Sequence, residues 1–231
     1  MDENKQKVLT LLCYIMMRVI AVIILGFSIY LIIVEKIDEL ESRYFMIAFY
    51  SLLLLGASFL PSIIEHRWKI DIPEFMELLF IAFCIGSLFI GEIVGVYRMN
   101  SWWDGLMHTL SGSLIAIFAF SFLRMLNESA DIGKKFSPLF VVFLVFCIAS
   151  TVGVIWEIIE YCADYFTGSN MQRYFNDATG MDFIGQEALR DTMLDLILNS
   201  VGAATVCVIG YIDLRVKKTL IRSPRRFNTH K

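Results

Sequence analysis

Six ionisable side chains of this chain stand in pairs, each pair about one helical turn apart. Asp104 and His108 are four residues apart, Glu157 and Glu160 three, and Asp191 and Asp195 four. On a helix such spacings put both members of a pair on one face. Five carboxylates and one imidazole make an oxygen-rich ligand set that suits Mg or Mn, with Zn or Fe less favoured. A divalent ion held there would bind an anionic group or activate water. His108, Glu157 and Glu160 are the candidates for general acid–base work.

The surroundings make these residues unusual. Glu157 and Glu160 sit in the run Val154-Ile155-Trp156-Glu157-Ile158-Ile159-Glu160-Tyr161, which is otherwise apolar. A charge near hydrocarbon is costly, so an ionisable residue there is a functional-site hypothesis by default. Two like charges ~5 Å apart at an effective dielectric of ~20 repel by about 3 kcal/mol. Several such pairs require compensation by protons or by cations. Arg190 beside Asp191, with Arg98 and Arg173 farther off, is too little positive charge for five acids. Bound divalent metal is the simplest balance. Each residue alone has a plainer reading: His108 as a packing residue, Glu157 and Glu160 as groups facing water at the membrane rim, Asp191 as a helix cap. Three pairs at one depth point instead to a shared polar site.

The elements that must position these pairs are membrane helices. The 231 residues are 57% hydrophobic and 19% charged, with a mean hydropathy of +0.65. Soluble domains are nearer half apolar and a quarter charged. Apolar stretches of about 20 residues recur, each able to cross a ~30 Å hydrocarbon core. The expected fold is all-α: a single polytopic membrane bundle over 1–231, with six spans near 8–34, 44–64, 73–97, 104–126, 138–162 and 191–214. Pro73 and Pro138 fall at the starts of spans, where a missing N–H costs least.

Charge placement orients the bundle. Of the 20 lysines and arginines, 14 fall in the N-terminus, the second and fourth loops and the tail 215–231, and five on the opposite side. The positive-inside rule then puts both termini in the cytoplasm. Asp104 and His108, Glu157 and Glu160, and Asp191 and Asp195 all fall at the outer ends of spans 4, 5 and 6. Glu92, near the end of span 3, is a candidate to join them. Ser111, Gly112, Ser150, Gly153, Asn199 and Gly202 continue the same faces inward. Small residues there allow helices to approach closely.

Other features read more plainly. Cys13, Cys84, Cys147, Cys162 and Cys207 lie in apolar stretches without a CxxC pair, as small buried hydrophobes rather than disulfides or zinc ligands. Lys5 and Lys7 precede an apolar run longer than a signal-peptide core and without a cleavage site, so that run is expected to remain as span 1. Arg18 within it is expected to snorkel toward the headgroups or to mark an interfacial start. The basic tail is a topology anchor that favours anionic lipid; no nucleic acid is expected as a partner. The sequon Asn127-Glu128-Ser129 lies on the cytoplasmic side and should be silent. The longest loop, 165–190, is rich in aromatics and glycine, as a surface lid or a re-entrant segment would be.

The motifs Asp104-x-x-x-His108-x-x-x-Gly112, Trp156-Glu157-x-x-Glu160 and Gly185-Gln186-x-x-x-x-Asp191-Thr192-x-x-Asp195 resemble the YjdF-like family of bacterial inner-membrane proteins. The resemblance covers spans 4 to 6, while spans 1 to 3 match only as apolar helices. It implies a small multi-helix protein of the bacterial plasma membrane and no particular substrate.

Three functions compete. The first is an intramembrane enzyme acting on a lipid-linked substrate at the outer leaflet. In it, metal would be held by Asp104, His108, Glu157, Glu160, Asp191 and Asp195. The Asp-x-x-x-Asp of span 6 is shared with metal-dependent lipid phosphotransferases, but their remaining motif is absent. The second is a cation or proton-coupled transporter, against which the inner halves of spans 4 to 6 offer few polar groups. The third is a non-catalytic accessory membrane protein whose cluster only locks packing. Interhelical hydrogen bonds of about 0.6–2 kcal/mol make that a costly device.

Overall fold

A computed structural model describes residues 3–34, 38–68, 70–128, 136–176, 179–216 and 225–226. The chain is all-α, with six helical stretches long and apolar enough to cross a membrane. Among the described residues the strand pairing is a two-residue antiparallel ladder, β1 (Ile70–Asp71) with β2 (Arg225–Arg226), and an isolated antiparallel bridge between Phe175 and Asp182. The chain divides into two compact units, Met1–Trp103 with Ser223–Lys231, and Asp104–Arg222.

The first unit holds α1 (Glu3–Val34), α2 (Asp38–Ala57), α3 (Leu60–Trp68), α4 (Glu74–Cys84), a π-helical segment (Ile85–Ile93) and the short α5 (Val96–Met99). Its core joins Tyr14, Met17 and Ala21 of α1 to Leu54 of α2 and to Ile81 and Cys84 of α4. Arg18 is bonded within the unit. Its Nε donates to Ser58 Oγ at 3.1 Å and its Nη2 to the Ser58 carbonyl at 3.0 Å. Its guanidinium also lies 4.2 Å from the centre of the Phe59 ring. The interruption between α2 and α3 supplies these polar groups. The π-segment closes with Val94 N–H on the Phe89 carbonyl at 2.9 Å, and Gly95 at φ 89° turns the chain into α5. Glu92 lines a small pocket of this unit with Arg43 and Arg98.

The second unit takes α6 (Ser101–Glu128) from Asp104 onward, α7 (Pro138–Thr167) and α8 (Gln186–Val216). Ser137 caps α7 by accepting from Phe140 N–H, with Pro138 at the first position. Gly168 at φ 68° ends α7, and Gly185 at φ 67° precedes α8. The loop is therefore 168–185, shorter than expected, because both flanking helices run beyond their apolar stretches.

Helices α6, α7 and α8 share one core of Ala116, Ala119, Phe120 and Leu123 with Val141, Val145 and Ala149 and with Ala203, Val206 and Cys207. Glycines set the spacing. A Cβ on Gly112 would collide with the Asn199 carbonyl oxygen, and one on Gly202 with the Thr109 carbonyl oxygen. Gly153 faces the Asn199 side chain. Arg124 and Asp213 form a 2.9 Å ion pair between α6 and α8, with the Asp213 side chain fully buried. The cysteines are all free, but Cys162 is exposed rather than buried.

Candidate metal centre

The second unit brings the three pairs together. Asp104 and His108 are on α6, Glu157 and Glu160 on α7, and Asp191 and Asp195 on α8. His108, 7% exposed, stands at the centre. Its Nε2 lies 3.6 Å from Asp104 Oδ1 and 3.9 Å from Asp195 Oδ2, while its Nδ1 lies 3.8 Å from Glu157 Oε1. Asp104, His108 and Asp195 each offer one ligand atom within 4.8 Å of the others, so this cluster could hold a metal ion. The α6–α8 contact at Gly112 and Gly202 brings two helices close enough for that convergence.

Glu157 is 5% exposed; the Gln172 and Thr192 side chains stand beside its carboxylate, but neither oxygen has a fully formed hydrogen bond among the described residues. Burying a carboxylate with such weak donors is costly. The donor set thus fits a cation: it holds buried acceptors that the protein's own hydrogen bonds do not satisfy. Glu160 is tied differently. Its Oε1 accepts from Trp156 Nε1 at 2.7 Å. Asp191 accepts from Arg173 Nη1 at 3.5 Å, while its Oδ2 is buried with no hydrogen-bond partner among the described residues.

The counter-charge comes from Arg173, which sequence reasoning placed among the remote cations. Its Nη2 lies 3.2 Å from Asp104 Oδ2 and its Nη1 3.5 Å from Asp191 Oδ1. Arg190, expected to serve Asp191, instead pairs at the surface with Glu187 at 3.3 Å. Adjacent helical residues point in different directions, so sequence neighbours do not meet. Asp191 is also no cap, since α8 begins at Gln186.

Arg173 is placed by a tightly bonded turn. Asp164, at the end of α7, accepts from Ser169 Oγ and Met171 N–H through Oδ1 at 2.7 Å each, and from Gln172 N–H through Oδ2 at 2.9 Å. Gln172 Nε2 donates to the Glu157 carbonyl at 3.4 Å and to Thr192 Oγ1 at 3.0 Å. The Asn170 side chain brackets Phe175, donating to its carbonyl and accepting from its N–H. Arg173 itself adopts φ 48°, the only non-glycine with positive φ among the described residues. Such backbone strain, costing roughly 1–3 kcal/mol, persists where surrounding structure fixes it. No helical periodicity announces these contacts, and only the loop's density of polar residues hinted at them.

One turn deeper, Asn199 is 2% exposed. Its Nδ2 donates to Ser111 Oγ at 3.2 Å, and Ser111 Oγ donates to the His108 carbonyl at 2.9 Å. Asn199 Oδ1 and Ser150 Oγ are buried without hydrogen-bond partners among the described residues.

The family model described as "Predicted membrane protein (DUF2238)" matches residues 15–215. This corrects the assignment to a YjdF-like family, for the match is to DUF2238 and extends across spans 1 to 3 as well. Acid pairs at i,i+3 and i,i+4 are what any helical bundle with an internal polar site presents, so those motifs carried the geometry and not the family. An "Uncharacterized protein" of Thermotoga maritima is 26% identical over 141 residues, 61% of this chain and 64% of that one. The chain thus spans under two thirds of that relative's length. No solved structure matches.

Proposed function

This chain belongs to the DUF2238 family of membrane proteins, and from that premise we propose that its second unit is a divalent-metal centre serving an intramembrane enzyme. The observation that carries the reading is the convergence of Asp104, His108 and Asp195 within 4.8 Å of one another. Asp104 Oδ1, His108 Nε2 and Asp195 Oδ2 would hold the ion, Mg or Mn by their chemistry. Arg173 and Glu157 then take outer positions. Arg173 holds the second oxygen of Asp104, and Glu157 faces the second nitrogen of His108. Metal-bound histidines commonly direct their other N–H to a carboxylate, which fixes the tautomer and ring orientation.

A divalent ion held there would supply Lewis-acid chemistry, polarising a carbonyl or activating water. Within the chain, Glu157 and Glu160 are the groups placed to accept or return a proton, and burial in a bundle excludes bulk water. The positive-inside distribution supports cytoplasmic termini in a bacterial plasma membrane and an outer-leaflet position for this end. A substrate arriving there through the bilayer would be lipid-linked.

Transport is the second reading, and the packing supports it less. His108 and Arg124 are separated by ~24 Å along α6 at 1.5 Å per residue. Between them lies an apolar block of Ala116, Phe120, Val145, Ala149, Ala203 and Val206.

Elemental analysis of the purified protein is the test. Bound Mn or Mg, lost in Asp195→Ala, is expected. A metal-free protein whose thermal stability ignores added Mg, Mn and Zn would sink the reading. Uptake of Mn into liposomes would replace the enzyme reading with transport.

A further inference from the structure

We propose that the first unit carries a phospholipid-headgroup site, in which Arg43 and Arg98 hold the lipid's phosphodiester at the mouth of the pocket between α2 and the π-segment. The site shares no residue with the acid cluster of the second unit and stands apart from the metal reading.

The pocket is built from two stretches. Arg43, Ile47 and Tyr50 follow one another at helical spacing on one face of α2. Glu92, Gly95 and Arg98 line it from the end of the π-segment and the turn into α5. Single π-helical segments recur at functional sites, and this one ends at the pocket. The turn beyond it is braced. Tyr97 donates to Ser87 Oγ at 3.1 Å, and its ring lies so close to Gly91 that any Cβ there would collide with it. Arg98, the next residue, therefore enters the pocket from a fixed backbone.

Position along the helices points to lipid. Arg43 opens one apolar stretch of membrane-crossing length, Arg43–Trp68, and Ile93 closes the next, Glu74–Ile93. Both hydrocarbon lengths end at the pocket, the level at which headgroups begin. Phe45 and Phe49 of α2 and Val94 after the π-segment are exposed apolar surface, against which acyl chains would lie.

Charge and size narrow the headgroup. Arg43 and Arg98 are exposed, while Glu92 is half-buried and Tyr50 buried. A guanidinium offers a planar fork of N–H donors that matches phosphate oxygens. Two guanidiniums and one carboxylate leave one net positive charge, which matches the single negative charge of a phosphodiester. The dianion of free phosphate would meet Glu92 with twice the repulsion. The enclosed space is about 20 Å3, room for one water-sized group. The terminal ammonium or hydroxyl of a headgroup fits there, and a trimethylammonium does not. Phosphatidylethanolamine and phosphatidylglycerol are thereby favoured over phosphatidylcholine.

Native mass spectrometry of the full chain, delipidated in detergent and titrated with each of these three lipids alone, tests the site. One phosphatidylethanolamine or phosphatidylglycerol per chain is expected, held about tenfold more tightly than phosphatidylcholine. Arg43→Gln and Arg98→Gln are each expected to weaken that binding about tenfold, as loss of a hydrogen bond to a charged group does. The preference among lipids is read on the wild type and does not depend on how either variant folds. Equal binding of all three lipids overturns the site, since it describes only the shell of lipid around any membrane protein. Undiminished binding in both variants overturns the role of the arginines. Displacement of bound lipid by millimolar inorganic phosphate overturns the lipid as ligand and assigns the pocket to a soluble anion.

Discussion

Gly112 on α6 faces the backbone carbonyl of Asn199 on α8 with no room for a side chain between them. The same surface of α8 carries Asp195 one turn away, so the glycine contact and the Asp104–His108–Asp195 convergence are parts of one helix seam. Gly112→Val is expected to force the helices apart, lowering stability by about 1–3 kcal/mol, the usual cost of overpacking. It should also abolish metal binding. Detergent melting curves and Mn2+ binding check this together; wild-type affinity in a folded Gly112→Val protein would show that the seam does not set the site.

Arg173 reaches the site from outside the helices and holds the oxygen of Asp104 that faces away from His108. Loss of such an outer partner typically lowers metal affinity 10–100-fold, and Arg173→Gln is expected to fall in that range. Isothermal titration with Mn2+ gives the answer. A rise in affinity would show that Arg173 competes for Asp104 rather than orienting it.

Asp164 collects three hydrogen bonds from the turn that follows α7. Asp164→Ala leaves two backbone N–H groups without their acceptor, at a local cost of about 1–3 kcal/mol each where they stay buried. The turn should open, with faster protease cleavage within 168–185 and metal affinity reduced in parallel with Arg173→Gln. Cleavage at the wild-type rate would count against the turn's dependence on Asp164.

The Arg124–Asp213 pair lies at the other end of the same seam. Removing one partner of a buried pair leaves an uncompensated charge and costs about 3–5 kcal/mol, so Asp213→Ala should be strongly destabilising. Metal stoichiometry in the surviving folded fraction is expected to stay at the wild-type value, because ~27 Å of helix separates Asp213 from Asp195. Loss of metal without loss of stability would contradict that separation.

The helical class and the pairing of the site residues were legible because both are periodic. Hydrocarbon-length apolar runs mark helices, and i,i+3 and i,i+4 spacings mark faces. Asp104, His108 and Asp195 can therefore be grouped from spacing alone. What periodicity cannot encode is where loops and helix breaks send their polar groups. Arg173 was invisible for this reason, since a turn fixed by Asp164 and not a helical face aims it. The Ser58 contacts of Arg18 were hidden similarly, because the α2–α3 interruption that receives it has no signature beyond an ordinary Ser58-Phe59. The family name failed on other grounds: short acid motifs recur wherever helices share a polar interior.

Trp156 donates its indole N–H to Glu160. Indole emission responds to the charge of a hydrogen-bonded neighbour, so this contact makes the protein its own optical probe. With Trp68, Trp102 and Trp103 replaced by phenylalanine, the remaining fluorophore would report, in real time and without any label, each arrival and departure of charge at Glu160.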